Sequence, residues 1–111
     1  MVRVIERLIQ EIYPDKFEEL EEIDKKFTAI ENKYGYPPKK RIRCIAGPHD
    51  INTVILEREW TSLSKMEKSA TKLYLDPEID KLSKELNDIV KGARTELYIP
   101  HFVTPADAVK E

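Results

Sequence analysis

From Val2 to Ile9 apolar and polar positions alternate imperfectly, Val2, Val4 and Leu8 against Arg3, Ile5, Arg7 and Ile9, and the period of two predicts a first strand. Asp15, followed three residues later by Glu18, has the form of a capping box, in which side chains satisfy the first free amides of a helix. Beyond it Phe17, Leu20, Ile23, Phe27, Ile30 and Tyr34 recur at steps of three and four, which sets them on one helical stripe. Gly35, Pro37 and Pro38 end that helix. From Arg41 to Trp60 the period returns to two on both sides of a loop holding Gly47, Pro48, His49, Asp50 and Asn52, which is the pattern of a β-hairpin. In its first strand Ile42, Cys44 and Ala46 are expected on one face and Arg41, Arg43 and Ile45 on the other. In its second, Val54 and Leu56 oppose Thr53, Ile55, Glu57 and Glu59.

Helical spacing resumes after Trp60, with Thr61, Ser62 or Ser64 as N-cap and Leu63, Met66, Ala70 and Leu73 as the stripe. Asp76-Pro77 reads as a second cap with proline at the first helical position, so the helix breaks and restarts there. Ile79, Leu82, Leu86, Ile89 and Val90 carry the apolar face on to Gly92, and residues 93–99 alternate as a last strand. The order strand, helix, strand, strand, helix, strand predicts an α+β ferredoxin-like βαββαβ domain over residues 1–99, a four-stranded antiparallel sheet with both helices on one face. Residues 100–111, with Pro100 and Pro105, form an extended tail whose Phe102 and Val103 are free to pack on a neighbour.

Beneath the helices this arrangement puts Ile42, Cys44, Val54, Leu56, Leu97 and Ile99. The other face receives Ile5, Ile45, Ile55 and Tyr98 among Arg3, Arg7, Arg41, Arg43, Arg94, Glu57, Glu59 and Glu96. Such a face is too apolar for water and too charged for an ordinary core. Two copies packed about a two-fold axis would bury the isoleucines and pair the charges, whereas in a monomer the charges would simply be solvated.

Composition narrows the classes. The 111 residues suit one domain, and 36% charged with 41% hydrophobic residues describes a folded chain with a charged surface. A net charge of -2 gives no global attraction for nucleic acid or an anionic membrane. The lone Cys44 cannot form an intramolecular disulfide, which fits a reduced cytoplasmic setting. Arg3, Glu6 and Arg7 break the N-terminal stretch, so it reads neither as a signal peptide nor as a membrane span.

Over the hairpin and the helix after it, GPHDINTVILEREWTSLSKMEK, the chain resembles the NIPSNAP-like proteins of the dimeric α/β-barrel superfamily. The carrying residues are Gly47, Asn52, the strand Thr53 to Trp60 and the helix entry Ser62-Leu63. The resemblance implies a homodimer in which two ferredoxin-like sheets pair into a barrel. Because the superfamily includes haem-degrading and quinol-forming monooxygenases, it also implies cofactor-independent or haem-type oxygenation as an alternative function. Haem-degrading members use an asparagine on the first strand, a tryptophan near the second helix and a histidine on that helix. Trp60 matches the tryptophan, but VRVIERLI has no asparagine and no histidine lies between Trp60 and Gly92.

The candidate site residues are Arg41, Arg43, Glu57, Glu59, Trp60, Arg94, Tyr98 and His49. Glu57 and Glu59, near Arg43 or Arg94, form either an acid–base pair in a dry barrel interior or structural ion pairs. Five arginines against three glutamates on that face would favour an anionic ligand. Trp60 either lines a pocket mouth with Tyr98 or plugs the end of the core. His49 beside Asp50 is either an oriented imidazole or an exposed turn residue. His49 and His101 alone give no metal-site spacing, and no phosphate loop, nucleophile elbow or Cys-His pair argues for a cofactor or covalent catalysis. The first expectation is therefore a small homodimeric barrel that binds a modest organic ligand, anionic by that count, or a protein partner. Recognition of RNA on the sheet is disfavoured, because TVILEREW offers carboxylates where exposed aromatics are needed.

Overall fold

A computed structural model describes residues 2–101. The chain runs β1 (Val4–Ile12), α1 (Phe17–Lys33), β2 (Lys40–Arg43), β3 (Thr53–Trp60), α2 (Leu63–Tyr74), α3 (Pro77–Leu86) and β4 (Val90–Tyr98). The strands form one antiparallel sheet in the order β2-β3-β1-β4, the ferredoxin-like arrangement expected from the element order. The tail residues Phe102 and Val103 lie outside the described residues. No described helix is long and apolar enough to cross a membrane.

β1 is a central strand, paired on both edges, and it is apolar on both faces. Val4, Leu8 and Ile12 turn toward the helices with Glu6 and Gln10 between them, while Ile5 and Ile9 point the other way. The core between sheet and helices is built from Ile12, Val54 and Ile89 against Leu20 and Ile23 of α1 and Leu82 of α3. Phe17, Phe27, Leu56 and Leu86 pack around that cluster.

Helix boundaries follow local chemistry. Ser62 caps α2 by accepting a bond from the Lys65 amide. Asp76 caps α3 by accepting from the Glu78 amide at 2.9 Å, with Pro77 at the first turn, and this divides the predicted second helix in two. The Tyr34 hydroxyl donates to the same carboxylate at 2.6 Å, tying the end of α1 to the start of α3. The capping box predicted at Asp15 does not form. Asp15 adopts a left-handed conformation (φ 65°), Lys16 takes the N-cap position, and no side chain caps α1. Gly35, at φ 76°, makes the left-handed turn that leads α1 into β2. α3 ends at Leu86 rather than running to Gly92, so Ile89 reaches the core from a connecting turn and Val90 already belongs to β4.

The largest correction concerns β2. Arg41 pairs with Leu56 and Arg43 with Val54, so both arginines share the helix-facing side, and Ile42, opposite Ile55, takes the other. This phase is one residue off the one expected, which exchanges every side chain between faces. Cys44, Ile45 and Ala46 fall beyond the strand, and Ile45 is 88% exposed in the loop. Of the five arginines assigned to the helix-free face, Arg3, Arg7 and Arg94 remain, and the arginine excess that favoured an anionic ligand there is gone.

Candidate functional site

The two faces of the sheet offer two sites of different character. On the helix-free face Arg7, in the middle of β1, donates to Glu57 on β3 through Nε (3.2 Å) and Nη2 (2.8 Å), and its guanidinium lies over the Tyr98 ring of β4 at 5.1 Å. Donation to Glu57 raises the Arg7 pKa against the opposing effect of desolvation. Arg3 reaches Glu59 at 3.4 Å and Arg94 reaches Glu96 at 3.1 Å. The Tyr98 hydroxyl donates to Glu96 at 2.6 Å, which holds that carboxyl below its usual range. Glu57, Glu59, Arg94 and Tyr98 are therefore brought together as a ladder of pairs. Every carboxylate in it is tied to a cation or a hydroxyl, an arrangement of ion pairs rather than of a free acid and base.

His49 does not meet an orienting carboxylate in the loop 44–52. The Asp50 carboxylate instead accepts from the Asn52 amide at 2.7 Å, and the His49 carbonyl accepts from Cys44 Sγ at 3.4 Å.

The other site was not among the predicted ones. A cavity of about 450 Å³ lies between the sheet and the helices, with Leu8, Leu20, Ile23, Phe27, Leu56 and Ile79 among its apolar walls. Its volume falls within the range of small-molecule pockets. Leu8 shows the effect directly: a leucine in the middle of a central strand, facing the helices, is left only half-buried because the space above it is open. Four carboxylates, Glu6, Glu21, Asp24 and Glu31, and four cations, Lys39, Arg41, Arg43 and Arg58, also line the cavity.

These charges are wired together. Arg58 on β3 is 8% exposed, donates to Glu31 of α1 at 3.1 Å and lies 3.8 Å from Glu6 of β1. Lys39, whose side chain is buried, bridges Glu31 at 2.9 Å and Asp24 at 2.6 Å. Arg41 pairs with Asp24 and also donates to the Thr28 hydroxyl at 3.2 Å. Burial pushes the Asp24 carboxyl up, but its bonds to Lys39 and Arg41 outweigh that and leave it below the usual carboxylate range. Arg43 stacks on the Phe17 ring at 3.9 Å. The sequence-predicted Arg41 and Arg43 thus belong to this site and not to the helix-free face.

Trp60 closes one end of the network. It is 1% exposed, donates from Nε1 to Glu6 at 2.9 Å and meets the Tyr36 ring edge-on at 4.8 Å. It plugs the core, on the opposite face from Tyr98, and does not line a pocket mouth with it. The Arg58 guanidinium lies over the Tyr36 ring at 4.8 Å. Burial drives the Tyr36 hydroxyl well above its ordinary range, with Tyr74 and Glu6 adding to the effect, so it stays protonated.

Two polar atoms of cavity-lining side chains, Gln10 Oε1 and Arg58 Nη1, are enclosed and have no partner among the described residues. A buried group left in this state costs about 1–3 kcal/mol, so each is an unmet demand for a hydrogen bond.

Solved structures reproduce the whole fold. A NIPSNAP family protein from Agrobacterium tumefaciens superposes with a TM-score of 0.76 at 19% identity, over 95% of this chain and 91% of that one. The chain has the NIPSNAP fold. An uncharacterized NIPSNAP domain protein from Burkholderia xenovorans gives a TM-score of 0.76 at 15% identity, covering 92% of this chain and 98% of that one. SnoaB, a cofactor-independent oxygenase from Streptomyces nogalater, shares the same architecture with a TM-score of 0.68 at 12% identity, over 95% and 99% of the two chains. No protein-family profile and no curated protein matches the chain. The NIPSNAP fold positions the cavity by spanning a four-stranded sheet with α1 and α3, which leaves β1 and β3 as its floor.

Proposed function

We propose that the protein is a NIPSNAP-like homodimeric α/β barrel of the reduced cytoplasm that binds a small, mainly apolar organic molecule in the cavity between its sheet and its helices. The observation that carries this reading is the cavity itself, an apolar chamber of about 450 Å³ beside polar groups held in fixed positions. Titration with ethylnaphthalene, an uncharged apolar probe, is expected to saturate at one site per chain. Ser83 is exposed on α3 and lines the cavity, so Ser83→Trp fills it without disturbing the core. That variant should bind the probe more weakly by about tenfold or more. Unchanged affinity in Ser83→Trp would remove the cavity from consideration.

Dimerisation rests on the helix-free face. Ile42, Ile55, Ile5 and Tyr98 leave apolar surface there among paired charges, and a two-fold partner offering the same surface would cover it. Sedimentation is expected to give about twice the 13.0 kDa chain mass, and a monomer at micromolar concentration would contradict the barrel.

A second reading, oxygenation without a cofactor, is supported by the architecture shared with SnoaB and by an apolar cavity that would shield a reacting molecule from water. Oxygen uptake dependent on a bound organic substrate, and lost in Ser83→Trp, would favour it over simple binding.

A further inference from the structure

We infer that the cavity takes an elongated organic acid, with its carboxylate held by Arg43 at the β2 edge and its apolar body laid across the sheet toward β4. This rests on the cavity being the binding site. The shape of the floor and the commitments of the lining cations carry it.

Along the floor, residues opposed in the register make one row across all four strands: Arg41 of β2 pairs with Leu56 of β3, Leu56 with Leu8 of β1, and Leu8 with Thr95 of β4. All four line the cavity. Three strand spacings make the row about 14 Å long, so the floor is an apolar track with a basic end at β2 and a neutral hydroxyl at β4. Such a track suits a molecule that is charged at one end only.

The cation free to meet that charge is Arg43. Lys39, Arg41 and Arg58 are already committed to Asp24, Glu31 and Glu6. Arg43 has no carboxylate partner among the described residues, and its guanidinium lies over the Phe17 ring at 3.9 Å. Stacking occupies the flat of a guanidinium and leaves its in-plane N–H donors available to grip a carboxylate through two bonds. Because Arg43 is exposed on an edge strand, an acid bound there keeps its charge in contact with water and buries only its hydrocarbon. Glu21, one turn beyond Phe17 on α1, is the lining carboxylate without a cation among the described residues. It is exposed, so water screens its repulsion, which lessens the preference for an acid without reversing it.

Naphthoate and naphthamide, nearly alike in shape and different in charge, separate the possibilities when titrated into the full chain and into Arg43→Gln, Glu21→Gln and Ser83→Trp. Arg43 and Glu21 are both exposed, so neither substitution opens the core. Naphthoate is expected to bind about fivefold tighter than naphthamide, a preference that rises in Glu21→Gln, vanishes in Arg43→Gln and shrinks with added salt. Ser83→Trp should weaken both probes. Equal affinities in the full chain, or a preference that survives Arg43→Gln, overturn the acid and its anchor while leaving the cavity as the site, provided Ser83→Trp still weakens binding. Absence of binding by both probes, or binding indifferent to Ser83→Trp, overturns the cavity reading and this inference with it.

Discussion

Trp60→Ala is expected to destabilise the protein by about 3–5 kcal/mol, the range for truncating a buried tryptophan. Trp60 is 1% exposed at the end of β3, and three losses coincide there. The indole volume is vacated and cannot be refilled by Tyr36, which meets it edge-on and is itself held beneath Arg58. The edge-to-face contact disappears, and Glu6 loses its 2.9 Å bond from Nε1 while remaining next to Arg58 at 3.8 Å. Trp60→Phe separates these terms, since it keeps most of the ring and removes only the donor; its expected cost is about 1–3 kcal/mol for a carboxylate left short of one partner. Urea unfolding of the three proteins reads both differences. A loss below about 1 kcal/mol in Trp60→Ala would mean that Trp60 is not the plug described here, because surface substitutions fall in that range.

Arg58→Met is expected to cost a comparable amount, about 3–5 kcal/mol, for a different reason. The side chain has nearly the same reach, so packing along the stem is kept, but Glu31 and Glu6 lose the cation set between them. Glu31 keeps Lys39 at 2.9 Å, whereas Glu6 keeps only the neutral Trp60 donor. Removing the stranded charge should therefore restore most of the loss: Arg58→Met combined with Glu6→Gln is expected to be markedly more stable than Arg58→Met alone, as found when buried ion pairs are replaced whole instead of broken. Additive losses in the double variant would show that Glu6 and Arg58 do not act as a unit.

The elements of this fold were legible because each follows a local rule. Alternation marked β3, the three-and-four spacing marked α1, and Asp76-Pro77 marked the break between α2 and α3. What failed depended on partners distant in sequence. In β2 (Lys40–Arg43) Ile42 shares its face with Lys40, and Arg41 and Arg43 face the helices, where Asp24, Thr28 and Phe17 of α1 receive them. Hydrophobicity alone assigns the opposite phase.

The site was missed for a related reason, although its signals were present. Arg58 shares a strand face with Val54, Leu56 and Trp60, and Glu6 and Gln10 share one with Val4, Leu8 and Ile12. A cation, a carboxylate and an amide on otherwise apolar faces mark either satisfied buried polar groups or a pocket. The pairing of Glu6 with Arg58 across β1 and β3 requires the register, which a single strand does not disclose. Glu57, Glu59, Arg94 and Tyr98 were correctly placed on one face because alternation suffices there, and their mutual engagement became visible only once β1 was set between β3 and β4 with Arg7 at its centre.

The claim at the centre of this account is that ligands enter between sheet and helices rather than against the helix-free face of the sheet. Amide chemical shifts recorded as ethylnaphthalene is added to the isotopically labelled protein test it most directly. Shifts concentrated in α1 and α3, around Leu20, Phe27, Ile79 and Ser83, and on the cavity floor at Leu8 and Leu56, are the predicted result. Shifts concentrated at Glu57, Glu59, Arg94 and Tyr98 with the helices unmoved would contradict it.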